Sequence, residues 1–468
     1  MVNLSNDLTP KKMRKNILNL AWPAALRMFL QSIVGIVDII MVGSIGAHAL
    51  ATVDISNRFV FITVGVLSSL TIGATALVAR FKGAKDEEQV EKIIIQSLLT
   101  GAILSILIAI LGFIFAKPIL NLMMILMDEV DPYILNNGNI YLKIVFTSML
   151  FALPTLMFNS ILQGLGDMRT PLYIMVTTNI INVVGNYIFI FGIGPIPEMG
   201  VAGAAIGTGL GRLVGFLLAG YVLLSKKTLI KINFNSRKWK IDWKILKEIL
   251  HIGLPASIEE LVRRGSQIIY TILVAGLGTI TIAANAVVMN INSLPIMLGF
   301  GFGLASTTLV GQSLGANKKK LAEAYGKQTT IVALFLMILI SIPMFIWVEF
   351  IIRLYTNNVE VISMAKPVVR LIIVAQPLYG IFLVLAGALR GAGDTRYTMI
   401  TTIIGNLGGR ILSSLFFGYV LNLGLMGFWL GMVLDIGSRT VLIFFRFLSK
   451  KWQKIYKKRE NTKAMVTK

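Results

Sequence analysis

The stretch 74–84, ATALVARFKGA, returns at 306–316 as STTLVGQSLGA, 232 residues further along the chain. Trp22-Pro23 and Leu254-Pro255 keep the same offset, so the register holds without a gap over about sixty residues. A second block, QGLGDMR at 163–169, returns as RGAGDTR at 390–396 with an offset of 227. Repetition on this scale means that one structural unit is built twice.

The solvent for that unit is lipid. Of 468 residues, 56% are hydrophobic and only 14% charged, more apolar surface than a soluble fold of this length buries. Runs long enough for a helical crossing, roughly 20 residues each, recur along the chain. They predict spans near 17–42, 52–79, 93–116, 138–163, 170–193 and 201–224. In the second half they fall near 248–276, 281–311, 328–349, 364–388, 397–420 and 424–448. A closed barrel is excluded, because its strands are shorter and alternate in polarity. The expected fold is therefore an all-α integral membrane protein with twelve transmembrane helices in two pseudosymmetric six-helix lobes. The Gly-Ala motifs end the second and eighth spans, and the Gly-Asp-Arg motifs join the fourth to the fifth and the tenth to the eleventh. Six is even, so both halves enter from one side of the membrane and the repeat is parallel, a symmetry that transporters use.

The net charge of +22 is unevenly placed. Lys and Arg cluster at the N-terminus, around Arg80 to Lys92, at Arg169, through Lys226 to Lys247, at Lys318 to Lys320, at Arg390 and Arg396, and after Lys450. Loops 44–50 and 276–280 lack them, and a longer intervening one carries Asp128, Glu129 and Asp131. The positive-inside rule then puts both termini in the cytoplasm of a multi-pass plasma membrane protein. The expected organisation is an N-lobe over 1–224, a basic cytoplasmic linker over 225–247, a C-lobe over 248–449 and a basic tail over 450–468. Trp239 and Trp243 within the linker suit the headgroup level of the bilayer, where basic side chains meet anionic lipid, better than a nucleic-acid surface.

Several chemistries are excluded. There is no cysteine, so there is no disulfide, thiolate nucleophile or cysteine-held metal, and the only histidines, His48 and His251, are far apart in sequence. No GxxxxGK[ST] loop is present for ATP-driven pumping, and no constellation of acid, base and nucleophile marks an enzyme. The apolar run after Lys11, Lys12, Arg14 and Lys15 continues past Met41, too long for a signal peptide, and reads as a retained first helix.

With Gly35-Ile-Val-Asp38-Ile-Ile-Met-Val-Gly43 in the first span, the two Gly-Ala motifs and the 6+6 order, the chain resembles the multidrug and toxic compound extrusion (MATE) family over nearly its whole length. That resemblance implies export of bulky, often cationic, amphipathic compounds against H+ or Na+ by alternating access, with no cofactor and with the protein acting as a monomer. A lipid-linked oligosaccharide flippase of the same superfamily is the alternative, kept open by Arg27, Arg58, Arg212, Arg263, Arg264 and Arg410.

An acid inside the membrane is costly and so a candidate for function. Asp38, with no basic residue three or four positions away, is the first. Asn179, Asn182 and Asn186 share a face of the fifth span. In the MATE resemblance, Asn159, Asn182 and Thr208 match polar members of an ion or proton site completed by Asp38. Where many relatives carry a further aspartate, Asn186 stands here, which disfavours a tight sodium site and suits Asp38 to carry a proton. In the seventh span Glu259 with Arg263 and Glu260 with Arg264 are spaced for pairing along one helix, or for lining a substrate cavity. Asp54 with Arg58 and Asp435 with Arg439 have the same spacing and read as structural pairs.

Overall fold

The computed structural model describes residues 9–124, 131–225 and 239–455. Most of the expected linker (226–238) and tail (456–468), and Asp128 and Glu129, lie outside the described residues. Among the described residues there are helices and no strands, as lipid demands of a backbone that must satisfy its own hydrogen bonds.

In the first half these are α1 (Pro10–Gly43), α2 (Ala47–Gly83), α3 (Glu87–Met124), α4 (Pro132–Thr147), α5 (Met149–Leu165), α6 (Arg169–Phe191) and α7 (Gly200–Leu224). The second half has α8 (Trp243–Ala275), α9 (Thr279–Gly315), α10 (Lys319–Ile346), the short α11 (Val348–Arg353), α12 (Val359–Gly391), α13 (Thr395–Val420) and α14 (Gly424–Leu448). Ten of these are long and apolar enough to cross a bilayer, and α4 with α5, bent by 43° between them, are together long and apolar enough for one more. The twelfth is α8, whose 33 residues include Glu259, Glu260, Arg263 and Arg264. Those four charges lower its apolar character without shortening it.

The repeat is visible in the backbone. Gly46 and Gly278, Lys85 and Asn317, and Gly166 and Gly393 are equivalent by the two offsets, and all six have positive φ. Each pair ends or begins a helix at the same place in its half. Thr75 Oγ1 donates to the Ser160 carbonyl at 3.0 Å, and its equivalent Thr307 Oγ1 donates to the Gly387 carbonyl at 2.9 Å. Asp167 N bonds Leu162 O, and Asp394 N bonds Leu389 O, each at 2.8 Å.

By packing, the described chain forms two compact units. The N-terminal unit comprises Arg27–Val78 and Asp86–Leu250, around a core that includes Leu120, Leu142, Phe146 and Ala205. At one end of it His48 Nδ1 lies 2.6 Å from Asp131 Oδ2, while Asp131 caps α4 by accepting from Tyr133 N at 2.8 Å. The Tyr133 N–H, and then His48, hold the Asp131 carboxyl below the ordinary aspartate range. The C-terminal unit comprises Met1–Leu26, Ala79–Lys85 and His251–Lys468, around Tyr270, Val288, Phe428 and Trp429. Within it the two Gly-Ala motifs meet reciprocally. A Cβ on Gly83 would strike the backbone of Gln312, and one on Gly315 would strike the backbone of Arg80, the residue equivalent to Gln312. The invariance of this motif between the halves thus has a steric cause: only glycine allows the two helix ends to touch.

Candidate ion and substrate sites

In the N-terminal unit Asp38 lies one turn from the end of α1, partly buried. Asn186 Nδ2 of α6 donates to Asp38 Oδ1 at 2.7 Å. With its amide turned, Asn182 Nδ2 donates to the same oxygen at 3.1 Å and its Oδ1 accepts from Thr208 Oγ1 of α7 at 3.3 Å. Small residues make this possible. Gly185 and Gly207 bring α6 and α7 into backbone contact, and a Cβ on Gly207 would collide with the Asn186 carboxamide. No Lys or Arg pairs with Asp38 among the described residues.

Asp38, Asn182, Asn186 and Thr208 therefore come together, the grouping that the family resemblance implies. Asn179 and Asn159 stand apart from that network. Asn179 Nδ2 turns back to Met175 Sδ on its own helix, and Asn159 Oδ1 is buried without a hydrogen-bond partner. Asn186 Oδ1 is likewise a buried acceptor with nothing donating to it.

In the C-terminal unit the charges pair differently from the expectation for α8. Glu259 does not take Arg263. Its buried carboxylate accepts from Arg390 Nη2 of α12 at 2.5 Å, from Thr398 Oγ1 at 3.0 Å and from Thr402 Oγ1 at 3.3 Å. Glu260 takes both neighbouring arginines instead, Arg263 Nη2 at 2.6 Å and Arg264 Nε at 2.6 Å. The reason is tertiary: α12 and α13 bring a guanidinium and two hydroxyls to the side of α8 that carries Glu259. Asp435 pairs with Arg439, as spacing suggests, at 2.6 Å, but also with Arg410 of α13 at 2.8 Å. Asp54 and Arg58 form the expected exposed pair at 2.8 Å.

Arg27, which has no partner within its own helix, finds one in Gln163, whose oxygen accepts from Arg27 Nη1 at 2.8 Å when the amide is turned. The two offsets carry Arg27 onto Glu259 and Gln163 onto Arg390. The same contact is thus built in each half with different charges, and the repeat register was the signal that would have found both partners.

The MatE family model matches residues 23–188 and again 255–415. The two copies begin 232 residues apart and end 227 apart, the offsets of the internal repeat. The chain belongs to the MatE family. Members of this family are transporters, not enzymes, and the twelve helices make this one a multi-pass membrane protein. The MatE chain is 31% identical over 463 residues to the probable multidrug resistance protein NorM of Thermotoga maritima, covering 97% of each protein. It is 25% identical to the uncharacterized transporter YisQ of Bacillus subtilis, covering 93% of this chain and 94% of that one. Its fold matches the crystal structure of MATE in the bent conformation with a TM-score of 0.85, at 23% identity and over 97% of both chains.

Proposed function

We propose that this MatE protein is a secondary-active exporter of amphipathic organic compounds, driven by protons taken up at Asp38 and working by alternating access of an N-lobe (1–224) and a C-lobe (248–449). The multidrug resistance names of its relatives support export of organic compounds. The basic loops support an orientation with both termini in the cytoplasm of the plasma membrane.

One observation carries the choice of coupling residue: Asp38 is an acid inside a membrane helix that is held by amides and balanced by no cation among the described residues. A carboxylate in that setting is costly when charged and acceptable when protonated, so its charge can change during a transport cycle. The same geometry favours H+ over Na+. Asn186 points its amide nitrogen, not its oxygen, at Asp38, and a second carboxylate is missing where Asn186 stands. Loading with a proton removes the charge.

The test is transport in proteoliposomes under separately imposed proton and sodium gradients, comparing wild type with Asp38→Asn. Efflux that follows the proton gradient and is lost in the variant supports the reading. Driven efflux that survives the substitution removes Asp38 from the coupling role, and efflux that follows sodium alone refutes the proton assignment.

A further inference from the structure

Four arginines and two carboxylates form one tract within the C-terminal unit. On α8, Glu260 holds Arg263 and Arg264. Two turns beyond Glu260, Gln267 Oε1 accepts from Arg410 Nη1 at 3.3 Å, and Arg410 shares the fully buried Asp435 with Arg439. Guanidinium groups keep their proton in proteins, so the tract carries two positive charges more than its carboxylates neutralise. Two other buried acids of this unit are engaged elsewhere: Glu259 with Arg390 and Asp394 with Arg446.

Three further features point to a ligand for that excess charge. Arg263 lies on the face of α8 opposite the exposed apolar stripe of Leu254, Leu261, Ile268 and Ile272, yet its side chain is 43% exposed. Its charge is thus only half covered by Glu260, on a face away from that stripe. Asn406, one turn before Arg410, is fully buried and neither its amide nitrogen nor its oxygen has a hydrogen-bond partner. Between them the backbone is π-helical over Gly405–Leu412, a distortion frequent at functional sites. Gly405 and Gly409 give it room, since a Cβ on either would press on Asp435.

We propose that this tract binds an anionic group on the exported compound, a carboxylate, sulfonate or phosphate carried by an apolar body. Arginine's planar fork is matched to such groups, and an arriving anion supplies the charge that the tract lacks. The inference rests on the exporter reading for its physiological sense, but binding itself needs no gradient. An intact anion site without driven transport would fell the exporter reading alone.

The experiment is equilibrium binding to the purified full chain in nanodiscs, using dansyl-aminoundecanoate and its trimethylammonium analogue, two probes differing only in the charged end. The carboxylate is expected to bind about tenfold tighter, the scale of one charge-assisted hydrogen bond. Arg263→Gln should weaken it by a similar factor and Arg263→Lys by much less. Glu260→Gln is the sharper variant: it frees two guanidiniums, so it should tighten carboxylate binding, which no loss of folding can do. Competition separates the sources of the anion. Displacement by farnesyl pyrophosphate at lower concentration than by laurate assigns a pyrophosphate lipid, the reverse a free organic acid, and either supports the tract. Equal or tighter binding of the ammonium probe, or a Glu260→Gln variant that binds carboxylate more weakly, overturns the proposal.

Discussion

Asp435→Asn tests whether the buried pair Arg410 and Arg439 is balanced by one acid alone. Asp435 has no solvent exposure and sits 2.8 Å from Arg410 Nη2 and 2.6 Å from Arg439 Nε. Asparagine keeps the size and one acceptor oxygen, so packing is preserved and the change is electrostatic. It leaves two guanidiniums side by side with no counter-ion. Removing one partner of a buried ion pair costs about 3–5 kcal/mol. The membrane setting agrees in scale, since an arginine at the bilayer centre costs at least about 2.5–3.5 kcal/mol. Unfolding by SDS titration in mixed micelles should show a loss in that range. The double variant Asp435→Asn, Arg439→Gln removes one of the stranded charges and should recover about 1–3 kcal/mol relative to the single variant, a coupling expected of contacting residues. A loss below about 1 kcal/mol for Asp435→Asn, or a double variant no more stable than the single one, would refute the view that Asp435 is what holds the two arginines together.

Other substitutions test other parts of the molecule. Asn186→Asp places a second carboxylate against Asp38, and sodium binding measured by isothermal titration should appear in the variant and be far weaker in wild type. Gly315→Ala would ordinarily favour a helix, but here its methyl group meets the Arg80 backbone, so thermal unfolding in detergent should show a loss of about 1–3 kcal/mol. Arg27→Glu alone sets an acid against a neutral amide with no cation to balance it and should reduce folded yield, whereas Arg27→Glu with Gln163→Arg reproduces the Glu259–Arg390 arrangement and should restore it. Asp131 has a depressed pKa in the folded protein, so its contribution is present at neutral pH and is lost as pH falls through that value. Asp131→Asn should therefore be less stable than wild type at neutral pH, and the difference should vanish in strong acid.

The helices and the repeat were legible because both are written in features that need no partner. Apolar length alone marks a crossing, and the glycines of the Gly-Ala and Gly-Asp-Arg motifs recur because a turn or a backbone contact excludes every larger residue. Asp38, Asn182 and Asn186 were legible too, since spacing along α6 puts the asparagines on one side and the first span supplies a lone acid, whereas Thr208 was reached only through the family resemblance. Partners across the fold were not. Helical spacing named Arg263 for Glu259, but Arg390 is 131 positions away in sequence and reaches it from another helix. Asn179 shares a face with Asn182 yet turns to Met175, because a shared face does not decide a rotamer.

The repeat also separates what geometry requires from what chemistry leaves open. Where two backbones touch, at Gly83 and Gly315, both halves keep glycine. Where side chains touch, only the place of contact is kept. Arg27 meets Gln163 in one half and Glu259 meets Arg390 in the other, so one scaffold position holds a cation facing an amide and its counterpart an acid facing a cation. Duplication thus supplied two equal frameworks whose charges were free to diverge. The N-terminal unit holds a solitary acid among amides, suited to gain and lose a proton. The C-terminal unit holds the tract of four arginines and two carboxylates proposed to take an anion. The proposed proton site and the proposed anion site thus fall one in each half, and divergence within a parallel repeat is a direct physical route to such a division.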